Sequence, residues 1–186
     1  MLDPDRNPLN GLVEIDGTTI NHRTRGDPPA GGRGRSHRGR FLIAGAVGFV
    51  EEGPGRLRLA VIEDFSADSL HDFIAANVAP GASAHTDGLA SYDGAPGVSR
   101  HPHVIGPMAA HVVLSWIHRV FSNLKTWAPG VYHGLRKKHL QSYLDEFVFR
   151  FNRRFRRQAG FRSLIRITMA SQPLTQKMLT QQEARG

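Results

Sequence analysis

The hydrophobic and polar positions along the chain predict five β-strands, three of them before the first helix. Residues 11–16 (GLVEID) and 56–63 (RLRLAVIE) alternate with the two-residue period of a strand. Residues 41–50 (FLIAGAVGFV) are nearly all apolar, as in a strand that is buried on both faces. The intervening EEGPG segment predicts a turn, so the first three strands form an antiparallel meander. Two short strands are predicted at residues 82–86 and within 101–107.

The clearest helical pattern lies in residues 112–127 (VVLSWIHRVFSNLKTW). Its apolar residues recur every three or four positions and form one stripe: Leu114, Ile117, Val120, Phe121 and Leu124. His118 and Lys125 are seven positions apart, which is close to two helical turns, so both lie along one side. They indicate a functional site, although a core helix whose His and Lys only face water is the simpler interpretation of the helix alone.

Three further helices are predicted. The first begins at Ser66, a suitable N-cap, and ends near Val78. After residues 128–134 (APGVYHG) break the pattern, a long helix runs from Leu135 to about Arg157. Its predicted buried stripe consists of Leu140, Tyr143, Leu144, Phe147, Val148 and Phe151. From Phe161 we expect a short helix and a poorly packed end.

The order of these elements predicts an α/β fold that resembles ribonuclease H, a five-stranded mixed sheet with flanking helices. In that architecture the ends of strands one and four are adjacent, and a later helix packs against them. Asp16, Asp87 and His118 occupy those three places. Taken alone, Asp16 also suits the solvated face of an edge strand, and Asp87 suits a helix cap.

The length of 186 residues predicts one domain. We expect a lead-in at residues 1–10, a ribonuclease-H-like domain at 11–160 and a C-terminal helix and tail at 161–186. Residues 21–40 hold six arginines among many Gly and Pro, which predicts a basic loop inserted in the domain. This loop either contributes only charge or grips phosphates when nucleic acid binds.

The charge balance indicates a polyanionic partner, first nucleic acid and second an anionic membrane surface. There are 24 Lys and Arg against 16 Asp and Glu, a net charge of +8. The absence of Cys excludes disulfides and thiolate zinc sites. Because no apolar run has the length of a membrane span and the N-terminus lacks the pattern of a secretory signal, we expect a cytoplasmic protein without membrane association.

Histidines and arginines form two groups of basic residues in the second half of the chain. The histidines at positions 101, 103 and 111 match no compact metal-ligand spacing and are interpreted as dispersed surface residues. Several arginines with interleaved Phe end the long helix, and they suit either its dipole or a nucleic-acid-binding patch: Arg150, Arg153, Arg154, Arg156 and Arg157. The basic character of the whole chain favours the patch.

Four segments together resemble a known family. VEID, HTDG, the helix that contains SNLK, and especially KKHLQSYLDEFVFRFNRR are similar to the catalytic domain of bacterial DDE-type insertion-sequence transposases of the ISXO-two-like kind. The resemblance covers residues 11–157. It implies DNA transposition, with transposon ends and target DNA as partners and a homo-oligomer as the active form.

The resemblance also implies the site residues. Asp16 and Asp87 carry over as metal-binding acids, His118 as the third catalytic and metal-binding residue, and Lys125 as a phosphate contact. Two ions of Mg²⁺ or Mn²⁺ are expected, since such a pair activates the attacking oxygen and stabilises the leaving one. The remaining predicted DNA-binding residues are Arg119, Arg150, Arg153, Arg154 and Arg157.

The chain departs from the family pattern at three points. Gly17 stands where the family often has an acid, and His118 stands where most relatives of the wider superfamily have Glu. Glu14 shares a strand face with Asp16 and is a reserve ligand. The usual N-terminal DNA-reading region is not found. The alternatives to an active transposase are a remnant that binds DNA without catalysis, and a ribonuclease-H-like RNA-processing nuclease.

Overall fold

The computed structural model describes residues 6–21, 40–51, 53–103, 114–132 and 135–171. Most of the predicted basic loop, the residues Val112 and Val113 at the predicted start of the central helix, His111 and the tail after residue 171 lie outside these ranges. Within them no helix is long and apolar enough to cross a membrane.

Within the described ranges the strands form a five-stranded sheet with the order β3-β2-β1-β4-β5. Its strands are β1 (Leu12–Asn21), β2 (Arg40–Val50), β3 (Gly53–Ile62), β4 (Ser83–Asp87) and β5 (Ser99–His103). The β1–β2 and β2–β3 pairs are antiparallel, whereas the β1–β4 and β4–β5 pairs are parallel. This mixed topology is the ribonuclease-H-like fold that the sequence predicts.

Strand β1 is central and longer than its sequence pattern predicts. The ladder with β2 continues to the pair Asn21–Arg40, so backbone pairing carries the strand five residues beyond Asp16. Asp16 therefore lies within the strand and not at its end, which corrects the prediction. Because β2 pairs with one side of β1 and β4 with the other, β1 is not an edge strand, and that interpretation of its acidic face is also wrong.

Four α-helices are described: α1 (Ala67–Asn77), α2 (Ser115–Val131), α3 (Leu140–Asn152) and α4 (Arg157–Ala170). Ser66 caps α1, as predicted, by accepting a hydrogen bond from the Ser69 N–H at 3.3 Å. Helix α2 continues through Pro129, past the predicted break. Its last turn forms because the Tyr132 N–H bonds to the Ala128 carbonyl and Ala128 is buried.

The long helix predicted from Leu135 to Arg157 is interrupted, which is a second correction. A 3₁₀ turn at Lys137–His139 precedes α3, and tight turns at residues 153–156 separate α3 from α4. The Arg154 guanidinium donates to the Phe151 carbonyl at 2.8 Å and to the carbonyls of Pro54 and Gly55 in the β2–β3 hairpin. These bonds satisfy carbonyls at the end of α3 and tie that end to the sheet.

Each face of the sheet has its own hydrophobic core. On one face, α1 packs through Leu70, Phe73 and Ile74. On the other face, α2 and α3 cover β2 and β3. The buried residues of α2 and α3 match most of the predicted stripes: Ile117, Val120, Phe121, Leu124, Leu140, Leu144 and Phe147. Tyr143, Val148 and Phe151 of the predicted stripe are only partly buried.

Gly45 allows α2 to pack closely on the sheet. A Cβ at this position would lie 2.8 Å from Phe121 Cε1 and 3.0 Å from Ile117 Cδ1. We expect Gly45→Ala to lower the free energy of unfolding by about 1–3 kcal/mol, because the packed ring of Phe121 would have to move. Urea unfolding of the two proteins measures the difference.

Gly130→Ala is the matched control, because a Cβ there meets no atom within 4 Å and alanine is favoured in a helix by up to about 1 kcal/mol. Equal effects of the two substitutions would contradict the packing explanation.

Candidate active site

Two aspartates lie side by side on the sheet face that α2 covers. The parallel register of β1 and β4 ends with the pair Ile15–Thr86, so the next residues, Asp16 and Asp87, follow on neighbouring strands and point to one face. Asp87 ends β4, and its Oδ1 accepts a hydrogen bond from the Leu89 N–H at 3.1 Å. The strand order thus brings together two carboxylates that are 71 positions apart in the chain.

Asp16 is in an unfavourable position for a charge. Its residue is 8% exposed, and burial is the main reason that its pKa is raised to about 7. The Asp87 and Glu14 charges raise the pKa further, whereas the Gly17 N–H, which donates to Asp16 Oδ1 at 2.7 Å, and the Lys125 charge lower it. The carboxyl therefore titrates near neutral pH in the metal-free protein.

Helix α2 contributes His118 and Lys125 from the same side, as their spacing predicts. His118 Nε2 lies 3.6 Å from Asp16 Oδ2. Lys125 lies near enough for its charge to act on Asp16, and partial burial lowers the pKa of its ammonium group. The two basic residues border Asp16 because Ile117 and Phe121 are packed on the sheet beside them.

Glu14 has a structural contact that the sequence pattern does not reveal. Its Oε2 accepts hydrogen bonds from the N–H groups of Trp116 at 3.0 Å and Ile117 at 2.8 Å. These are among the first N–H groups of α2, whose own N-cap residue, Leu114, supplies no side-chain acceptor. Glu14, the reserve metal ligand of the sequence analysis, thus caps α2 from the central strand. Burial raises its pKa.

Arg100 of β5 holds the loop that follows Asp87, and no sequence motif singles it out. Its guanidinium donates to the carbonyls of Asp87 and Leu89, both at 3.1 Å, and its Nε donates to Thr86 Oγ1 at 2.9 Å. The guanidinium also pairs with Asp93. The bonds to Thr86, Asp87 and Leu89 are accepted by hydroxyl and carbonyl oxygens, so they do not involve the Asp87 carboxylate.

Tyr92 is buried in the core on the α1 face of the sheet, near enough to the two aspartates for their charges to act on its phenol. Burial, with the charges of Asp16 and Asp87, raises the pKa of its phenol, so the hydroxyl stays protonated. That hydroxyl has no hydrogen-bond partner among the residues that the structure describes.

Three histidines form a cluster on the β4–β5 side of the site. His103 Nε2 lies 2.8 Å from His85 Nδ1, and the His85 and His101 ring centroids are 5.2 Å apart. The prediction of dispersed histidines is therefore wrong for His101 and His103, because the parallel register pairs His85 with His101 and Asp87 with His103. Burial, and then the two neighbouring imidazoles, lower the pKa of His85.

The donor chemistry fits a hard divalent cation held by few protein ligands. No three His, Cys, Asp or Glu side chains in the described ranges form a compact group that could hold a metal ion. Mg²⁺ commonly binds through one or two carboxylates and takes its other ligands from water and substrate phosphate. The crowded charges of Asp16 and Asp87 suit such a cation.

The predicted DNA-binding arginines differ in their surroundings. Arg119 is exposed, with its guanidinium 4.8 Å from the centre of the Trp116 ring. Arg150 pairs with Glu146 at 2.9 Å, and Arg153 lies over the Phe149 ring. Arg154 contributes its donors to the carbonyls at the end of α3 and in the hairpin. The side chain of Arg157 lies outside the described part of the structure.

The two hydrogen bonds of Glu14 predict a stability difference between its variants. We expect Glu14→Ala to lower the free energy of unfolding by about 1–3 kcal/mol, since two N–H groups lose their acceptor. Glu14→Gln keeps an acceptor oxygen and should lose less. Denaturant unfolding at pH 7 measures both, and an alanine variant as stable as the parent would rule out this anchoring role.

The pKa of Asp16 predicts a pH-dependent stability in the metal-free protein. Between its ordinary value of 3.8 and its folded value of about 7, the folded state holds a proton that the unfolded chain has lost. Stability from this group is therefore complete below pH 4 and declines as the pH rises through about 7, by up to about 1.4 kcal/mol per pH unit. In EDTA, the free energy of unfolding of Asp16→Asn should depend less steeply on pH than that of the parent protein. An unchanged slope would contradict the attribution of this pH dependence to Asp16.

Comparison with known proteins identifies the family. The catalytic core domain of BIV integrase, a solved crystal structure, is similar over 76% of this chain and 82% of its own, with a TM-score of 0.47 and 14% identity. No curated protein sequence matches the chain. The family model of the ISXO2-like transposase domain matches residues 8–152, which is most of the chain. The chain belongs to the family of ISXO2-like transposase domains.

Proposed function

We propose that this protein catalyses metal-dependent phosphodiester hydrolysis and strand transfer at the ends of an insertion sequence. The observation that carries the proposal is the pair of carboxylates, Asp16 and Asp87, on adjacent strands beneath His118 and Lys125 of α2. Membership in a transposase family supports DNA as the substrate. We further propose that the active form is a homo-oligomer and that it acts in the cytoplasm.

Each residue has a proposed role. Asp16 and Asp87 hold the divalent cations, two of Mg²⁺ or Mn²⁺, and His118 is the third catalytic residue and ligand. When bound, the ions polarise the phosphate and lower the pKa of the attacking hydroxyl. Lys125 holds a phosphate oxygen beside the carboxylates, since its ammonium group lies near Asp16. Arg119, Arg150 and Arg153 hold more distant phosphates.

A second candidate is a DNA-binding remnant without catalysis. It is favoured by the absence of a compact three-ligand group in the described ranges and by an imidazole where a carboxylate is usual. An imidazole has less affinity for Mg²⁺ than for Mn²⁺ and carries no negative charge. Activity in Mn²⁺ with little in Mg²⁺ is therefore expected of the active form.

The test is nicking of labelled insertion-sequence-end DNA by the purified protein in Mn²⁺. We expect Asp87→Asn to lower the nicking rate by more than about 100-fold, because metal catalysis contributes several kcal/mol of transition-state stabilisation. Asp72→Asn is the matched control, since Asp72 is exposed on α1 at the opposite face of the sheet.

Metal binding is measured separately, by thermal unfolding. Mn²⁺ should raise the Tm of the parent protein but not that of Asp16→Asn, since a ligand that binds only the folded state stabilises it. Salt-sensitive DNA binding without nicking in either metal would support the remnant. Faster cleavage of an RNA–DNA hybrid than of duplex DNA would support an RNA-processing nuclease instead.

A further inference from the structure

Helix α4 presents large apolar side chains to solvent. Phe161 is 66% exposed and Met169 is 83% exposed, and Phe155, in the turn before the helix, is 84% exposed. Gly160 is the only residue of α4 in the buried class among those whose side chains are described, and it packs against Arg153. Among the described residues, the helix therefore borders α3 through a small contact and leaves most of its apolar surface exposed.

A groove lies between α3 and α4, with a volume of about 530 Å³. We call it the α3–α4 groove, and its lining residues are Phe149, Arg150, Arg153, Arg154, Gly160, Phe161 and Leu164. The volume is in the range of pockets that hold small organic groups, about 300–1,000 Å³. Its lining combines two aromatic rings with three guanidinium groups, a composition that suits both bases and phosphates.

The arginines of the groove are already ordered against aromatic rings. The Arg153 guanidinium lies 4.0 Å from the centre of the Phe149 ring. Arg154 lies 4.0 Å from the Phe151 ring and 4.4 Å from the Phe155 ring, and its bonds to the β2–β3 hairpin hold it there. Because these side chains are fixed before any ligand arrives, binding costs less conformational entropy.

The charge around the groove is mainly positive. Seven arginines lie between residues 150 and 166, and no Asp or Glu lies between residues 147 and 182. Within α3, Glu146 pairs with Arg150. A phosphate-containing partner matches this charge, whereas an apolar protein segment would leave the arginines unmatched.

We propose that the α3–α4 groove, together with Phe155 in the turn beside it, binds unstacked nucleotides of single-stranded DNA, with Phe161 and Phe155 stacking on bases and Arg150 and Arg153 contacting phosphates. This inference rests on the proposed function in taking DNA as the partner. The groove lies on the β3 side of the sheet, where α3 packs, whereas the carboxylates lie on β1 and β4. It is therefore a second nucleic-acid site, separate from the catalytic one.

The concave shape of the α3–α4 groove favours single-stranded DNA over a membrane as the partner. A basic helix with exposed Phe, Ile and Met also suits an anionic lipid surface. A flat bilayer, however, does not fill a groove in which the Arg153 guanidinium covers one face of the Phe149 ring, whereas a base inserts edge-on. Binding to vesicles is accordingly an outcome of the test and not part of the proposal.

The test is equilibrium binding of the full chain to a fluorescent oligothymidylate, to a duplex of equal length and to vesicles with anionic lipid, all in EDTA. We expect Phe161→Ala to weaken single-strand binding roughly 5- to 100-fold, the range for loss of one stacked base. Duplex binding should change less than about 2-fold. Phe161→Trp should retain single-strand affinity, because it keeps a stacking ring.

Met169→Ala is the matched control, since Met169 is exposed on α4 outside the groove. This variant should bind the oligothymidylate with the affinity of the parent protein. Unchanged single-strand binding of Phe161→Ala, or an equal loss with duplex, would overturn the proposal. Loss of vesicle binding alone would assign the surface to lipid. Because EDTA removes metal catalysis, binding can succeed while nicking fails, and the two proposals are tested separately.

Discussion

The carboxylate of Glu14 joins the central strand of the sheet to the helix that faces the site. Helix α2 begins without a side-chain cap of its own, and its first N–H groups bond to this oxygen from β1. A helix end that is buried without acceptors is strongly destabilised, so this contact stabilises the first turn of α2. Glu14 is two residues from Asp16, and the bonded N–H of Ile117 adjoins His118. One interaction therefore links the strand and helix sides of the site.

The same region concentrates negative charge in a poorly solvated place. The Asp16 pKa is raised by burial and by two neighbouring carboxylates, whereas the Arg100 guanidinium donates to the backbone carbonyls of Asp87 and Leu89. A protein selected for stability alone would avoid this arrangement, because buried like charges destabilise the folded state. Sites with a chemical function often retain such unfavourable groups. The electrostatics thus agree with the family to which the chain belongs.

Basic residues divide into those that build the fold and those that face solvent. Arg58 is buried and bonds to the carbonyls of Leu57 and Asn7, and Arg154 ties the end of α3 to the hairpin. Arg119 and Arg150 are exposed. The net charge therefore overstates the number of arginines that meet a polyanion, and only the contacts separate the two classes.

The sequence by itself determined the antiparallel meander of the first three strands and the stripe of α2, because these depend on local periodicity. It also indicated the adjacency of strands one and four and the candidate trio of Asp16, Asp87 and His118, because element order restricts the topology to one that resembles ribonuclease H. Only the tertiary structure decided that β1 continues past Asp16, that the long helix breaks at Arg153, that Glu14 caps α2 and that Arg100 and the His85 cluster border Asp87. Each of these depends on partners distant in the chain: the Arg154 bond to Gly55 joins residues 99 positions apart, and the Glu14 bond to Ile117 joins residues 103 apart. Hydrophobic periodicity indicates which side of an element is buried. The residues that contact that side are determined by the tertiary fold.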